Sequence, residues 1–214
     1  MIMELRGCTL KSKRHESSLL TPGGHARRRK VALSFAVVVL ALPTAFNLPA
    51  ATLAGVTLPD TAQVGGTALT LNGLGLRTKF AVKVYVAGLY LERKSSDASA
   101  LIKADAPKRI VMQFVHAVNK NQMTDAFDES FNDNTPDAKK TMKADIDRLL
   151  GAFDSIKEGD QMVFTYIPGT GTTLAINGKD KVTIAGAAFG QVLFSVWLGP
   201  KPPNAGLKKG ILGQ

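Results

Sequence analysis

Apolar residues repeat with the spacing of strands in two parts of this 214-residue chain and with the spacing of helices in two others, in a fixed order. Residues 67–118 and 161–184 consist of short alternating or β-branched apolar segments, which are typical of strands. Residues 119–153 and 187–199 carry apolar residues at helical spacing instead. Strands followed by helices, then strands and a closing helix, predict an α+β fold in which a large antiparallel sheet has a layer of helices on one face.

Turn residues divide the strand segments. TALTL (67–71) precedes Asn72-Gly73, and TTLAI (172–176) precedes Asn177-Gly178. Both pairs predict hairpins, because Asn-Gly readily adopts the two positive φ values of a type I′ turn. The first hairpin leads into a predicted central strand from Phe80 to Leu91. A further strand is predicted over residues 109–118, and QMVFTYI, TTLAI and KVTIA predict a three-stranded meander.

The helical segments begin with recognisable caps. Asn119 is a predicted N-cap for a helix whose Met123, Phe127 and Phe131 share one face. Thr135-Pro136 predicts the start of a second helix, with an apolar stripe that continues to residue 153. Short helices are predicted over residues 97–103 and 204–212, and the nearly uniform apolar character of residues 187–199 predicts a buried helix.

The first 51 residues predict an export signal. A basic cluster (27–30) precedes a 12-residue apolar run (31–42) and a small-residue segment with prolines, and cleavage is predicted near residues 50–54. The apolar run is short for a bilayer span of about 20 residues, although an uncleaved anchor is the alternative. We therefore divide the chain into a leader, 1–51, and a single domain, 52–214, that is periplasmic or secreted.

Removal of the leader changes the charge and the available chemistry. The whole chain has 27 Lys plus Arg and 17 Asp plus Glu, but residues 52–214 keep 19 and 15, a formal charge of +4. The high isoelectric point thus comes mainly from the leader and predicts no nucleic-acid partner. The only cysteine, Cys8, lies in the leader, so the domain lacks thiol catalysis and cysteine-based metal sites. No cofactor or metal is predicted.

Most polar residues of the domain have an ordinary structural interpretation. His116, its only histidine, shares strand parity with Ile110, Met112 and Phe114. It is either a core histidine satisfied by one hydrogen bond or a ligand-facing group. The carboxylates of residues 119–153 lie on the polar sides of amphipathic helices, and Trp197 at helical spacing with Leu193 favours a core position over a cofactor cradle.

Arg77 and Tyr85 allow a sharper hypothesis. Arg77 lies at the start of the most apolar segment, where a buried guanidinium needs an anionic or carbonyl partner. Tyr85 has the same strand parity, and an arginine with a tyrosine hydroxyl in an apolar pocket suits a carboxylate. The alternative is that Arg77 faces water from a half-exposed sheet, and composition alone leaves both interpretations open.

Several longer motifs resemble one family. LNGLGLRTKF followed by KVYVAGLYL, then TLAINGK and the ending FGQVLFSVWLGPKPPNAGLKKGILG, resemble the chalcone isomerase-like proteins, in particular their exported bacterial branch. The resemblance extends over about residues 53–213. It implies an open-faced β-sandwich of chalcone isomerase type, with a ligand cleft between the sheet and the helices.

The resemblance also assigns roles to residues. Plant members that cyclise chalcones use an arginine, a strand threonine and a helix tyrosine, whereas non-catalytic plant relatives bind fatty acids with an arginine and a tyrosine in place of the threonine. Arg77 matches the arginine and Tyr85 the threonine position. The helix tyrosine falls near Met123, and residues 119–131 contain no tyrosine. The isomerase set is therefore incomplete, and the fatty-acid-binding set is matched.

We therefore expect a non-catalytic periplasmic protein that binds a fatty acid or a similar amphipathic carboxylate. The head group would meet Arg77 and Tyr85, and the tail would lie near Met123, Phe127 and Trp197, with His116 as a further candidate. The alternatives are an isomerase or intramolecular lyase, in which Arg77 stabilises an oxyanion and Tyr85 exchanges a proton, and an interaction domain with a filled cleft.

The distance between Arg77 and Tyr85 is a difficulty for this hypothesis, since eight residues of unbroken strand span about 26 Å. Arg77 and Tyr85 can share a ligand only if a bulge or bend intervenes near residues 78–81, or if the ligand is long.

Overall fold

The computed structural model describes residues 50–214. Its strands are β1 (Ala50–Leu53), β2 (Val56–Pro59), β3 (Thr61–Val64), β4 (Thr67–Lys79), β5 (Val82–Leu91), β6 (Lys108–Phe114), β7 (Gln161–Ile167), β8 (Gly171–Ile176) and β9 (Lys179–Ile184). Its helices are α1 (Ala98–Lys103), α2 (Lys120–Asn134), α3 (Pro136–Thr141), α4 (Lys143–Gly151), α5 (Ala187–Leu198) and α6 (Ala205–Ile211).

Strands β3 to β9 form one antiparallel sheet in which every strand pairs with its neighbours in sequence. One face of the sheet packs against the helices and forms the main core, which includes Tyr85, Phe114, Phe164 and Trp197. The other face of β4 to β6 packs against the separate β1–β2 hairpin through residues such as Leu58 and Tyr90. The predicted α+β architecture, an antiparallel sheet with a helical layer, is confirmed.

The two Asn-Gly pairs have different roles. Asn177-Gly178 forms the predicted turn between β8 and β9, with φ values of +49° and +73°. The hairpin predicted at Asn72-Gly73 is wrong, because this pair lies inside β4 at a shift in register. The turn instead falls at Phe80-Ala81, where φ is +48° and +64°. The predicted central strand accordingly begins at Val82 rather than at Phe80.

Asn72 and Gly73 have tertiary functions that explain their place inside a strand. The Asn72 amide donates to the carbonyls of Ser95 and Ile211, at 3.0 and 2.8 Å, and accepts from the Ser95 N–H. A Cβ on Gly73 would lie 2.2 Å from the Gly210 carbonyl oxygen, so only glycine lets α6 approach so closely. This pair therefore fixes α6 on the sheet.

The predicted helix starts agree with the structure, but one predicted helix is interrupted in its middle. Asn119 caps α2 in a capping box with Gln122, as the sequence predicts. Asp97 caps α1 by accepting a hydrogen bond from the Ala100 N–H. The second long helix is two helices, α3 and α4, because the chain departs from helical geometry at Met142, with φ −116° and ψ 27°.

The predicted leader falls outside the described residues, apart from the predicted cleavage region, which coincides with β1 and the turn after it. Within residues 50–214 no helix is both long and apolar enough to span a membrane. The same residues contain no cluster of three or more acidic, histidine or cysteine side chains arranged for a metal ion.

Candidate ligand-binding site

The Phe80-Ala81 turn decides the relation between Arg77 and Tyr85. Because β4 folds back onto β5 there, Arg77 and Tyr85 are register partners on neighbouring antiparallel strands, next to a bulge between Arg77 and Thr78. Cross-strand partners lie on the same face of a sheet with Cα atoms about 5 Å apart. The separation of about 26 Å that holds for an unbroken strand therefore does not apply, and the bend that a shared ligand requires is present.

The Arg77 guanidinium is half-buried, and only part of its hydrogen-bonding capacity is used. Its Nη1 donates to the carbonyl oxygens of Thr78 and Pro203, at 2.6 and 2.8 Å. Among residues 50–214, no carboxylate lies within ion-pair distance of it, and its Nε and Nη2 have no hydrogen-bond partner. A guanidinium carries five N–H donors. Donors thus remain for an acceptor that comes from outside the chain.

Tyr85 supplies a second donor beside the guanidinium. Its side chain is buried on the helix-covered face, and the Trp197 Nε1–H donates to its hydroxyl oxygen at 3.3 Å. Burial raises the pKa of Tyr85 to about 12, although the hydrogen bond from Trp197 and the charge of Arg77 both lower it. The phenol is therefore protonated at neutral pH. Its O–H has no acceptor in the described part of the chain.

Asn204 also lies at this site, although it is not among the residues predicted for it from the sequence. It occupies the N-cap position of α6, yet its side chain makes no capping hydrogen bond. The amide nitrogen instead donates to the Thr78 Oγ1 at 2.9 Å, and Oδ1 is buried without a partner. An asparagine before a helix predicts a cap. Nothing in its local sequence indicates a contact with a strand 126 residues earlier.

The three predicted tail-contacting residues lie in the closed core. Phe127 packs against Trp197 with ring centroids 5.7 Å apart, and Phe164 lies 5.4 Å from the same indole. Met123 is buried in the same cluster. These side chains are buried between the sheet and the helices, and one of them, Trp197, is hydrogen-bonded to the Tyr85 hydroxyl. A role for Met123 and Phe127 in ligand binding stays a prediction.

His116 does not lie where strand parity placed it. Strand β6 ends at Phe114, and the chain then bends, so that the alternation does not continue to His116. The predicted strand over residues 109–118 is therefore too long, and the side chain of His116 is exposed rather than part of an apolar face. Its predicted contact with a ligand remains untested.

A second pairing of a cation with a tyrosine lies at the far end of the same sheet face. Lys108 and Tyr166 are register partners on β6 and β7, and the Tyr166 hydroxyl donates to the Asp105 carboxylate. Lys108 is 3% exposed, and its ammonium group donates to the carbonyls of Leu101 and Ala104, at 2.6 and 2.7 Å. Burial lowers the pKa of Lys108 to about 8, partly offset by the charge of Asp105. These partners hold the end of α1 on the sheet.

Two surface hollows lie apart from these pairs. One of about 260 Å³ is lined by residues that include Asp60, Asn72 and Lys94. The other, of about 340 Å³, includes Thr57, Gln113 and Glu158 among its lining residues. Neither of these two hollows is lined by Arg77 or Tyr85, so the candidate site is defined by the unused hydrogen-bond donors.

Comparison with protein families identifies the group to which this chain belongs. The chalcone isomerase-like family model matches residues 50–213, which is most of the chain and nearly all of the described residues. The chain belongs to the chalcone isomerase-like family. This confirms the resemblance carried by residues 71–91 and by the C-terminal motif.

A solved structure supports the same fold for this chalcone isomerase-like protein. A fatty-acid binding protein of Arabidopsis thaliana superposes with a TM-score of 0.61 at 16% sequence identity, and the match covers 77% of this chain and 96% of that one. At this identity the likeness establishes the shared fold. The search of curated proteins gave no match.

Proposed function

We propose that this chalcone isomerase-like protein binds a fatty acid or a similar amphipathic carboxylate without catalysing a reaction, and that it does so in the periplasm or outside the cell. The observation that carries the proposal is the half-buried Arg77 guanidinium, which has unused N–H groups and no carboxylate partner among residues 50–214. It lies beside Tyr85, a buried phenol that is protonated at neutral pH.

A carboxylate fits these donors chemically. Arginine binds a carboxylate through two parallel charge-assisted hydrogen bonds, and a neutral hydroxyl adds a third. The solved structure with the same fold is named as a fatty-acid binding protein, which supports a lipid acid as the ligand. The incomplete isomerase set, without a tyrosine in α2, favours the same choice.

The hydrocarbon tail would lie between the sheet and the helices, beside Met123, Phe127 and Trp197. Because these side chains already fill that space, a tail must displace them, and the affinity should rise with tail length as more methylene groups are buried. Trp197 is the only tryptophan of the chain and bonds to Tyr85. Its fluorescence therefore reports directly on the site.

The pKa of Tyr85 supports binding over proton transfer. An isomerase in which Tyr85 acts as the base would need its phenolate, and a pKa of about 12 makes that form scarce at neutral pH. A protonated phenol is instead a stable hydrogen-bond donor to a carboxylate.

The test is a titration of the purified protein with palmitate, followed by Trp197 fluorescence and calorimetry, with hexadecanol as the uncharged control. Palmitate should bind more tightly than hexadecanol. Arg77→Ala should weaken palmitate binding by about ten- to a hundredfold, the usual worth of hydrogen bonds to a charged group. It should leave hexadecanol binding nearly unchanged.

Arg109→Ala is the matched control. Arg109 is also partly buried, but it lies on the opposite face of the sheet, where its Nε bonds to the Thr165 hydroxyl at 2.9 Å. Equal binding of palmitate by Arg77→Ala and Arg109→Ala, or equal affinity for acid and alcohol, would rule out the proposed head-group site. The mass of the protein recovered from the periplasmic fraction tests export and places the cleavage point.

A further inference from the structure

The tip of the β4–β5 hairpin, Lys79–Lys83, combines features that the proposed ligand site does not use. Phe80 is 91% exposed and Val82 is 44% exposed, and these are the large apolar side chains that the described residues leave open to solvent. Lys79 and Lys83 flank them and are exposed as well. From Arg77 to Lys83 the sequence has three basic and no acidic residues.

The tip also projects beyond its neighbour in the sheet. Tyr85 pairs with Phe114, the last residue of β6, whereas Val82 and Lys83 pair only with β4. Val82, the first strand residue after the turn, lies three residues before Tyr85, which is about 10 Å of extended chain. The aromatic ring is therefore carried on a narrow projection, clear of the body of the sheet.

The turn itself is built from residues that do not favour it. Both central residues of a type I′ turn need positive φ, for which asparagine and glycine are preferred, and a bulky residue there is an outlier. The other hairpin turns of the described residues with two positive φ values are Ala54-Gly55, Gly65-Gly66 and Asn177-Gly178, and each has glycine at the second position. Phe80-Ala81 accepts positive φ values of +48° and +64° and places an aromatic side chain in water. Strain of this kind is concentrated at functional segments.

We propose that this tip docks on an anionic lipid bilayer, with Phe80 inserted at the interface and Lys79 and Lys83 against the headgroups. Aromatic side chains partition into the interfacial region, and basic residues are attracted by anionic lipids. The charge of the tip selects this partner over an apolar protein face, because two flanking ammonium groups would be costly to bury there. The inference does not depend on fatty-acid binding at Arg77.

The test is co-sedimentation of the purified protein with vesicles of phosphatidylcholine, with and without phosphatidylglycerol. We expect binding to the anionic vesicles, weaker binding as salt rises, and little binding to phosphatidylcholine alone. Lys79→Gln with Lys83→Gln should lower the partition coefficient by about fivefold for each lysine. The control pair Lys140→Gln with Lys179→Gln removes two exposed lysines elsewhere and should have a much smaller effect.

The decisive variant replaces the turn without disturbing the fold. Phe80→Asn with Ala81→Gly introduces the residues that the turn prefers, so the protein should remain folded, yet vesicle binding should fall by about tenfold or more as the aromatic anchor is lost. A folded variant that binds vesicles as well as the parent would overturn the proposal. So would an absence of binding to anionic vesicles, an equal loss in the control pair, or a dimer in solution that Phe80→Ser dissociates. Since no fatty acid is present, these outcomes are independent of the Arg77 titration.

Discussion

Arg77 and Lys108 lie at opposite ends of one sheet face, each beside a tyrosine, but their hydrogen bonding differs. Lys108 donates to two carbonyls and lies 5.5 Å from the rings of both Tyr166 and Phe194, so its charge is enclosed by the fold. Arg77 uses one of its three nitrogens, and both of its acceptors are backbone carbonyls. A buried cation that is satisfied by its own chain is structural, whereas one with spare donors can recognise a ligand.

The largest expected effect is the loss of stability on removal of the Lys108 side chain. Lys108→Ala leaves the carbonyls of Leu101 and Ala104 without a donor in a buried place, and it should lower the free energy of unfolding by about 3 kcal/mol. Arg77→Ala, at the more exposed site, should cost about 1 kcal/mol. Urea unfolding of both variants measures the difference. Equal costs would show that the two cations have the same structural role.

The dependence of stability on pH should reveal the enclosed lysine as well. Burial lowers the pKa of Lys108 to about 8 from its ordinary value of 10.5. Between these values the unfolded chain holds a proton that the folded chain has released, so stability rises with pH. This contribution is complete above about pH 10.5 and is lost as the pH falls through 8.

The measurement is the free energy of unfolding from pH 8 to pH 10, for the parent and for Lys108→Met. The parent should gain about 1 kcal/mol per pH unit relative to the variant. Tyr85, Tyr90 and Tyr166 act in the opposite direction at higher pH, since burial raises each pKa to about 12. Their contribution is complete below pH 10 and is lost as the pH rises through 12. Parallel curves for the parent and the variant below pH 10 would contradict the lowered pKa of Lys108.

The Arg77 end of the sheet also holds two turns of different sequence, Phe80-Ala81 after β4 and Asn177-Gly178 after β8. Phe80→Asn with Ala81→Gly should stabilise the protein by about 1 to 2 kcal/mol, since it relieves two non-glycine residues with positive φ. The reverse exchange, Asn177→Phe with Gly178→Ala, should destabilise it by a similar amount. Urea midpoints of the two variants test this symmetry. A loss of stability in the first variant would mean that the aromatic turn contributes contacts that outweigh its strain.

Local sequence patterns predicted most of the fold, because strands, caps and helices depend on nearby residues. The misplaced hairpin shows where this fails. Asn72-Gly73 has the strongest local turn signal in its region, but its contacts with Ser95, Ile211 and Gly210 hold it inside a strand. The choice between two possible turns eight residues apart is thus made by α6, which is distant in sequence.

In the candidate site, too, residue types could be predicted from local sequence, whereas contacts between distant residues could not. Arg77 and Tyr85 are identifiable from residue type, strand parity and the family resemblance, but their direct pairing depends on the turn at Phe80-Ala81. Asn204 was not predictable, since its contact with Thr78 crosses most of the domain. His116 was misplaced because the end of β6 at Phe114 has no local signal, whereas the bridge between Val118 and Ile156 redirects the chain after it.

The smallest expected effect concerns two buried polar atoms without hydrogen-bond partners, one at the Lys108 end of the sheet and one at the Arg77 end. Thr172 Oγ1 is buried without a partner on the row of Lys108 and Tyr166, and Asn204 Oδ1 is buried without a partner next to Arg77. If the first is only an unmet hydrogen bond, Thr172→Val, which is close in shape, should stabilise the protein by about 1 kcal/mol and leave palmitate binding unchanged. Thermal unfolding and the Trp197 titration measure the two quantities. A destabilised Thr172→Val, or one with altered palmitate affinity, would place a bound water or ligand group at the Lys108 end too, and the distinction between a structural and a ligand-binding end would no longer hold.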